Sequence, residues 1–269
     1  MTPLDHVRSA LFAPASNARA VAKARTLPCD MVILDLEDSV PDQDKASARQ
    51  IVRETAGDWI SGLLAARLNP IGSAHHADDI AMLAHAAVDL VVVPKVEEAA
   101  AVDALAARLG KPILAMIETP AAIYAAREIA AVPGVAGLIV GPNDLAATLR
   151  LPTFSGRAAM SLALQSILLA ARAAGIVALD GVYNRLDDAQ GFEADCVAWR
   201  EMGFDGKTLI HPSQIEPANR IFGPSLQELE DAEALIAAAN GGAERFRGRM
   251  IEGMHVDAAR RIIGRVQPS

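Results

Sequence analysis

Ile113-Leu-Ala-Met-Ile-Glu-Thr-Pro120 and, shortly after it, Gly137-Leu-Ile-Val-Gly-Pro-Asn-Asp144 share one pattern: a short apolar run, then a carboxylate beside a helix-starting signal. A continuous apolar run of that length suits a parallel strand buried on both faces, and the Pro-containing turn suits the start of a helix. Two such units in succession put Glu118 and Asp144 at the same end of adjacent strands. Carboxylates so placed have two readings. Each caps the helix it precedes, or the pair binds one hard divalent cation such as Mg2+, which takes oxygen ligands and keeps waters that a substrate can replace.

The same alternation extends in both directions. Candidate strands run from Arg8 to Ala13, Met31 to Leu36, Leu63 to Leu68, Leu90 to Val93, Pro112 to Ile117, Ala136 to Val140, Ile176 to Asp180 and Lys207 to Ile210. Between them lie amphipathic stretches at Asn17 to Leu27, Asp42 to Ala56, His76 to Ala86, Glu97 to Leu109, Ala121 to Ala131, Arg157 to Ala174 and Asp187 to Glu201. Eight β units alternating with α units without a long interruption predict an α/β fold of the (β/α)8 TIM barrel type, with a doubly wound open sheet as the alternative. A length of 269 residues accommodates such a barrel as one domain. Three further helical segments follow, at Ser213 to Arg220, Leu226 to Ala239 and His255 to Gly264, with Asn240-Gly-Gly242 as a helix stop. The expected division is a catalytic barrel over 1–223 and a helical extension over 224–269 that packs on the barrel or on a neighbouring subunit.

Composition narrows the function classes. At 52% hydrophobic and 22% charged residues the chain has the make-up of a globular protein. A net charge of -8, with basic residues dispersed along the chain, argues against nucleic acid or a membrane surface as partner, while leaving room for a small anion in a local basic pocket. Cys29 and Cys196 lie far apart with no CxxC and read as reduced structural thiols, which suits a reducing compartment. The apolar run near the start, Ala10 to Ala13, is too short for a signal sequence or a membrane span, so a cytoplasmic location is expected.

A barrel of this type collects its functional groups at the C-terminal ends of the strands. Those ends read Phe12-Ala-Pro-Ala-Ser16, Asp35-Leu-Glu-Asp38, Arg67-Leu-Asn69, Pro94-Lys95, Glu118, Asn143-Asp144, Asp180-Gly181 and His211-Pro212. Asp35, Glu37 and Asp38 form a dense acidic set, explained either by a cation or basic partner or by a solvated loop. Arg67, in an apolar context, either faces an anion, which its guanidinium would grip bidentately, or pairs internally with Asp35 or Glu37. Lys95 fits an ion-pair role as well as a functional one. Lys207 opens its strand and is expected at the bottom face, in a structural role. His211 is either a core histidine or a ligand contact, and His75 and His76 are expected to face solvent. No Ser or Cys sits in an activating motif, so no covalent nucleophile is indicated.

Arg8-Ser-Ala-Leu-Phe-Ala-Pro14, Asp35-Leu-Glu-Asp-Ser-Val40, Arg67-Leu-Asn69, Pro94-Lys95, Ile117-Glu-Thr119, Gly141-Pro-Asn-Asp-Leu145 and Gly203-Phe-Asp-Gly-Lys-Thr-Leu-Ile-His-Pro212 together resemble the citrate lyase β-subunit-like group of the HpcH/HpaI aldolase superfamily. The resemblance implies a Mg2+-dependent carbon-carbon lyase acting on a 3-hydroxyacyl-CoA such as citramalyl-CoA, malyl-CoA or citryl-CoA, with a 2-keto acid and an acyl-CoA as partners. It implies Glu118 and Asp144 as metal ligands, Arg67 as the clamp on the substrate carboxylate, Asn143 as a substrate contact, and Glu37 and Asp38 around metal-bound water. Phe12, Lys23 and His211 fall where relatives contact coenzyme A, although Ala15 and Asn17 depart from the usual glycine and arginine. Gly248-Arg-Met-Ile-Glu252 resembles a Gly-x-Met-Ile-Asp motif, with Glu252 in place of the aspartate that serves as acid/base. Relatives form trimers or hexamers in which this segment reaches the next subunit's site, so a homo-oligomer is expected. Two further readings stay open, an aldolase using free pyruvate or oxaloacetate and a non-catalytic binding subunit; partnership with an acyl carrier protein is a variant of the first.

Overall fold

The computed structural model describes residues 2–153, 155–239 and 242–266. Among these, eight parallel strands close a barrel in sequence order: β1 (Ser9–Pro14), β2 (Met31–Asp35), β3 (Leu63–Arg67), β4 (Leu90–Val93), β5 (Ile113–Ile117), β6 (Val135–Val140), β7 (Val177–Asp180) and β8 (Gly206–Leu209). The ring closes where β1 pairs with both β2 and β8. Met31, Ile33, Leu114, Met116, Ile139 and Leu179 fill the interior. Their sequence neighbours Val32, Leu34, Ile113, Ala115, Leu138 and Ala178 point outward beneath the helices. Strands buried on both faces in this way have no polar side to show, which explains their unbroken apolar runs. The lower opening is stoppered by the turn Pro3–His6, whose Leu4 joins the interior cluster with Val7.

The outer ring consists of α1 (Ala18–Ala24), α2 (Lys45–Ala56), α3 (His76–Leu83), α4 (Ala99–Leu109), α5 (Pro120–Ala130), α6 (Pro142–Thr148), α7 (Ser161–Ala174) and α8 (Ala189–Met202). The short α6 bears out the helix start read at the Pro142 turn but is not among the amphipathic stretches, because seven residues carry too little periodicity to register. The observed caps remove the capping reading of both carboxylates. Thr119 caps α5, its hydroxyl accepting the Ala122 N–H, while α6 is capped at Gly141 with Asp144 inside the first turn. Beyond the barrel follow α9 (Ile215–Phe222), α10 (Leu226–Ala238), an antiparallel hairpin of β9 (Glu244–Phe246) and β10 (Arg249–Ile251), and α11 (Gly253–Gly264), which packs on α10. The hairpin was not foreseen, and Asn240 and Gly241 of the expected helix stop lie outside the described residues. No helix among the described residues is long and apolar enough to cross a membrane.

Two polar expectations are corrected by the direction of β7 and β8. Asp180 and Lys207 sit opposite each other in the β7–β8 register, and both side chains point outward rather than to a rim or a bottom face. The Lys207 ammonium pairs with Asp180, donates to the Gly181 carbonyl at 2.7 Å and reaches Asp195 of α8 at 2.7 Å. Arg157 closes the set by pairing with Asp180 and Asp195, its guanidinium stacked 4.3 Å from the Trp199 ring centroid. Asp180 and Lys207 are wholly buried, so removing one partner strands the other's charge. Lys207→Ala is therefore expected to cost about 3–5 kcal/mol, read as a lowered denaturant midpoint; a loss near zero would show that the network is dispensable.

Candidate functional site

Parallel register decides which polar groups meet at the C-terminal mouth. In β2 and β3 Asp35 lies directly opposite Arg67, both facing inward. The guanidinium donates from Nε to Asp35 Oδ1 and from Nη2 to Asp35 Oδ2, each at 2.7 Å. Nη1 lies 2.8 Å from Glu37 Oε2 and 3.6 Å from Asp38, and the Phe12 ring sits beneath, its centroid 4.8 Å from Arg67 Cζ. The internal pairing that was the alternative for Arg67 is thus what the structure contains. Burial pushes Asp35 up, but the bonds and charge of Arg67 more than offset this and hold it below the usual carboxylate range. Arg67 keeps further N–H groups on Nη1 and Nη2 for another acceptor.

Between β5 and β6, the Gly141 N–H donates to the Ile117 carbonyl at 3.1 Å, bringing Gly141 against Glu118. A Cβ on Gly141 would collide with the Glu118 side chain, which is why glycine stands there. Glu118 is 2% exposed and accepts a single hydrogen bond, the Lys95 N–H to Oε1 at 2.6 Å, with no cationic side chain within ion-pair reach among the described residues. Burial pushes Glu118 up to about 7; the Lys95 amide works against this, and the charges of Glu37 and Asp144 add to it. Asp144 stands across the mouth on the first turn of α6, partly open to solvent, where the N-terminal end of the helix favours a carboxylate.

Lys95 is the residue whose part sequence reasoning left undecided. Its φ of 51° puts a non-glycine residue in the left-handed region, a conformation that costs on the order of 1–3 kcal/mol and is held only where surroundings enforce it. That turn aims its backbone at Glu118 and its ammonium at Glu37, 2.8 Å from Oε1. Burial raises Glu37 above the usual range, offset only in part by Arg67 and Lys95. Its second oxygen, Oε2, lacks a hydrogen bond even though Arg67 is near. A second lysine was missed outright. Lys45, buried at the start of α2, donates at 2.7 Å to the carbonyls of Leu36 and Glu37 and to Asn69 Oδ1, fixing the acidic loop from below. Charged residues opening a helix are common, so nothing in the sequence marked it. His75 and His76 are half-buried rather than solvent-facing, His76 Nδ1 lying 2.8 Å from the Asn69 carbonyl.

These groups surround a cavity of about 400 Å3 at the mouth. Its lining mixes charged or polar groups, Arg67, Asp38, Glu118, Asn143 and Asp144 among them, with apolar ones, Met116, Val140, Val182 and Ile210. Phe12 also reaches the cavity, and Asn143 is held by the Asn184 side chain, whose Nδ2 donates to Asn143 Oδ1 at 2.6 Å. Four expected site residues are not in its wall, the first being Glu37, which is buried beside Arg67 and Lys95. Lys23 is exposed on α1. His211 follows Ile210 but turns to Ser213, whose N–H it accepts at 3.2 Å as a cap. Glu252 is exposed at the start of α11 and lines a different cavity of about 230 Å3 in the tail.

No three His, Cys, Asp or Glu side chains among the described residues converge into a metal cluster. A hexacoordinate ion that retains waters needs only one or two carboxylates, and Glu118 with Asp144 supplies that number. The near-isolated, buried Glu118 carboxylate fits such an ion.

Because folding raises Glu118 from its ordinary 4.5 to about 7, its ionised form opposes folding above about pH 7, and the penalty vanishes once the group is protonated in both states, below about pH 4.5. Glu118→Gln retains the acceptor for the Lys95 N–H without the charge. In EDTA it is expected to melt several degrees above the wild type near pH 8, with the gap closing toward pH 5; a gap independent of pH would mean that Glu118 is not strained by burial.

A family model described as HpcH/HpaI aldolase/citrate lyase matches residues 8–212. The chain is 39% identical to a (3S)-malyl-CoA thioesterase of Cereibacter sphaeroides, over 97% of this chain and 94% of the relative. It is 37% identical to a citrate lyase subunit beta-like protein of Deinococcus radiodurans, over 93% and 92% of the two chains. Among solved structures, CitE of Mycobacterium tuberculosis in complex with magnesium, acetoacetate and coenzyme A superposes with a TM-score of 0.82 at 33% identity, covering 96% of this chain and 97% of the other.

Proposed function

The chain belongs to the HpcH/HpaI aldolase/citrate lyase family and is an enzyme of the lyase class, and from that premise we propose that it is a Mg2+-dependent lyase that cleaves or forms a 3-hydroxyacyl-CoA thioester. The observation that carries the reading is the juxtaposition at one cavity of Glu118, buried with one hydrogen bond and no ion-pair partner among the described residues, and Asp144, on the first turn of α6. The magnesium, keto acid and coenzyme A of the similar M. tuberculosis structure support the same assignment.

In this reading Glu118 and Asp144 would hold the ion, and substrate oxygens would replace its waters. When bound, Mg2+ supplies Lewis-acid stabilisation of negative charge on the carboxylate and hydroxyl oxygens of the acid end. Arg67, held in place by Asp35, presents its remaining N–H groups to that carboxylate as a fixed positive charge. Asn143 and the first amides of α6 orient it, while Glu37 and Asp38 take hydrogen bonds from water in the mouth. In the cleavage direction the 3-hydroxyl proton passes to a mouth carboxylate and the hydroxyl carbon becomes the carbonyl carbon of the 2-oxo acid. The electrons of the broken carbon-carbon bond move to the α-carbon of the thioester, giving an enolate that takes a proton from an acid. We assign that acid to Glu252. Because it stands outside the cavity of its own chain, it would serve the mouth of a second copy, with residues 224–269 as the extension that delivers it. Phe12 would border the acyl end, while Lys23 and His211, on the outside, remain candidates for the coenzyme A chain.

A second reading, hydrolysis of the thioester in the same substrate, is favoured by the malyl-CoA thioesterase at 39% identity. The two differ in products. Lyase action gives a keto acid and an acyl-CoA, whereas hydrolysis gives a hydroxy acid and free coenzyme A; mass spectrometry of the enzyme with Mg2+ and malyl-CoA or citramalyl-CoA separates them.

Asp144→Asn should lower Mg2+-dependent turnover by more than about a hundredfold with the fold intact, because loss of an outer partner alone costs roughly 10- to 100-fold. Full activity would exclude the metal pair. Glu252→Gln should likewise lose turnover, and co-expression of the two inactive variants in one oligomer should restore part of it. No restoration would sink the assignment of Glu252 to a second copy's site.

A further inference from the structure

We infer that the Lys95 ammonium is the resident counter-ion of the carboxylates at the barrel mouth and competes with a divalent cation for them. The inference rests on the reading of Glu118 and Asp144 as metal ligands and goes beyond it by assigning what neutralises this mouth before the ion arrives.

Five carboxylates face or border the mouth, Asp35, Glu37, Asp38, Glu118 and Asp144, against two cations, Arg67 and Lys95. Arg67 cannot serve as a movable counter-ion: it is buried, and its bidentate bonds to Asp35 fix it. Lys95 differs in each respect. Its side chain is 36% exposed on a flexible stem, with Nζ 2.8 Å from Glu37, 3.7 Å from Asp38 and 4.0 Å from Asp144. Among the described residues no other ammonium or guanidinium lies within ion-pair reach of Asp144. An ion taken up by Asp144 therefore meets a positive charge already there, and unit charges at that separation in a half-buried site repel well above thermal energy. The ammonium lowers divalent affinity while sparing the metal-free fold a set of uncompensated acids.

Two tasks of Lys95 are separable, which makes the idea testable. The backbone N–H, not the side chain, holds Glu118. Substituting the side chain leaves that hold intact and removes only the charge. Glu37 keeps its contact with Arg67 in either case.

The experiment compares wild type, Lys95→Met and Lys95→Arg by thermal melting in EDTA and in Mg2+, with Mg2+ titrated calorimetrically. Lys95→Met should melt several degrees below wild type in EDTA, regain the loss in Mg2+, and bind Mg2+ about tenfold more tightly. Lys95→Arg, which retains the charge, should stay near wild type in all three measurements. A Lys95→Met protein as stable as wild type in EDTA, or one that binds Mg2+ equally or more weakly, overturns the inference. If Lys95→Met does not fold, Lys95→Gln repeats the comparison on the same terms. A wild type that binds no Mg2+ at millimolar concentration removes the metal reading instead, and the melting order in EDTA then decides alone whether Lys95 is the counter-ion.

Discussion

Negative charge exceeds positive charge at the mouth of this barrel, and the surrounding structure is built to hold that imbalance in place. Carboxylates packed this closely would neutralise or drift apart if left to themselves. Strand register prevents the second outcome for Asp35 by setting it opposite Arg67. A left-handed backbone at Lys95 and a glycine at 141 do the same for Glu118, the first by donating an amide, the second by leaving room. Lys45 secures the acidic loop through its carbonyls rather than its acids, so that it adds rigidity while leaving the Glu37 and Asp38 side chains to the mouth. Burial pushes both Glu118 and Glu37 above the usual carboxylate range, the sign that their charges are only partly compensated there.

The outer ring shows the opposite arrangement. Asp180, Asp195, Lys207 and Arg157 pair two acids with two bases, buried between strands and helices. Balanced and sealed, this set holds the Gly181 carbonyl, and Gly181 packs so closely on Pro142 that a side chain there would strike the proline ring. The start of α6, with Asn143 and Asp144, is thereby braced from the far side of the sheet. Rigidity at a mouth rich in loops comes from this neutral network below it.

Much of this was legible in the sequence because both faces of each strand are covered. Apolar runs marked every strand but β8, whose Gly206-Lys-Thr-Leu209 carries two polar side chains, and the rule that such barrels place chemistry at strand ends gathered Phe12, Asp38, Arg67, Glu118, Asn143 and Asp144 around one cavity. What the sequence could not carry was direction. Asp180 looked like one more rim acid, yet a strand alternates its side chains and this one points outward. Lys207 likewise points outward, to Asp180 and Asp195, rather than to a bottom face, and of the two readings of Arg67 the pairing with Asp35 is present while further N–H groups remain for a ligand. Lys45 and Lys95 act through long-range contacts and an unusual backbone angle that no local pattern encodes. Glu252 was identified by a motif whose place in one chain lies away from the mouth.

The mixed lining of the cavity, charged groups beside aliphatic ones, has an evolutionary consequence. Met116, Val182 and Ile210 border the same space as the acids and Arg67 but carry no charge of their own. Exchanging one aliphatic group for another there reshapes the space offered to a hydrocarbon branch without touching the electrostatic apparatus. A lineage built on this scaffold can therefore drift among branched and unbranched substrates through neutral steps, with recognition diversifying while reactivity stays inherited.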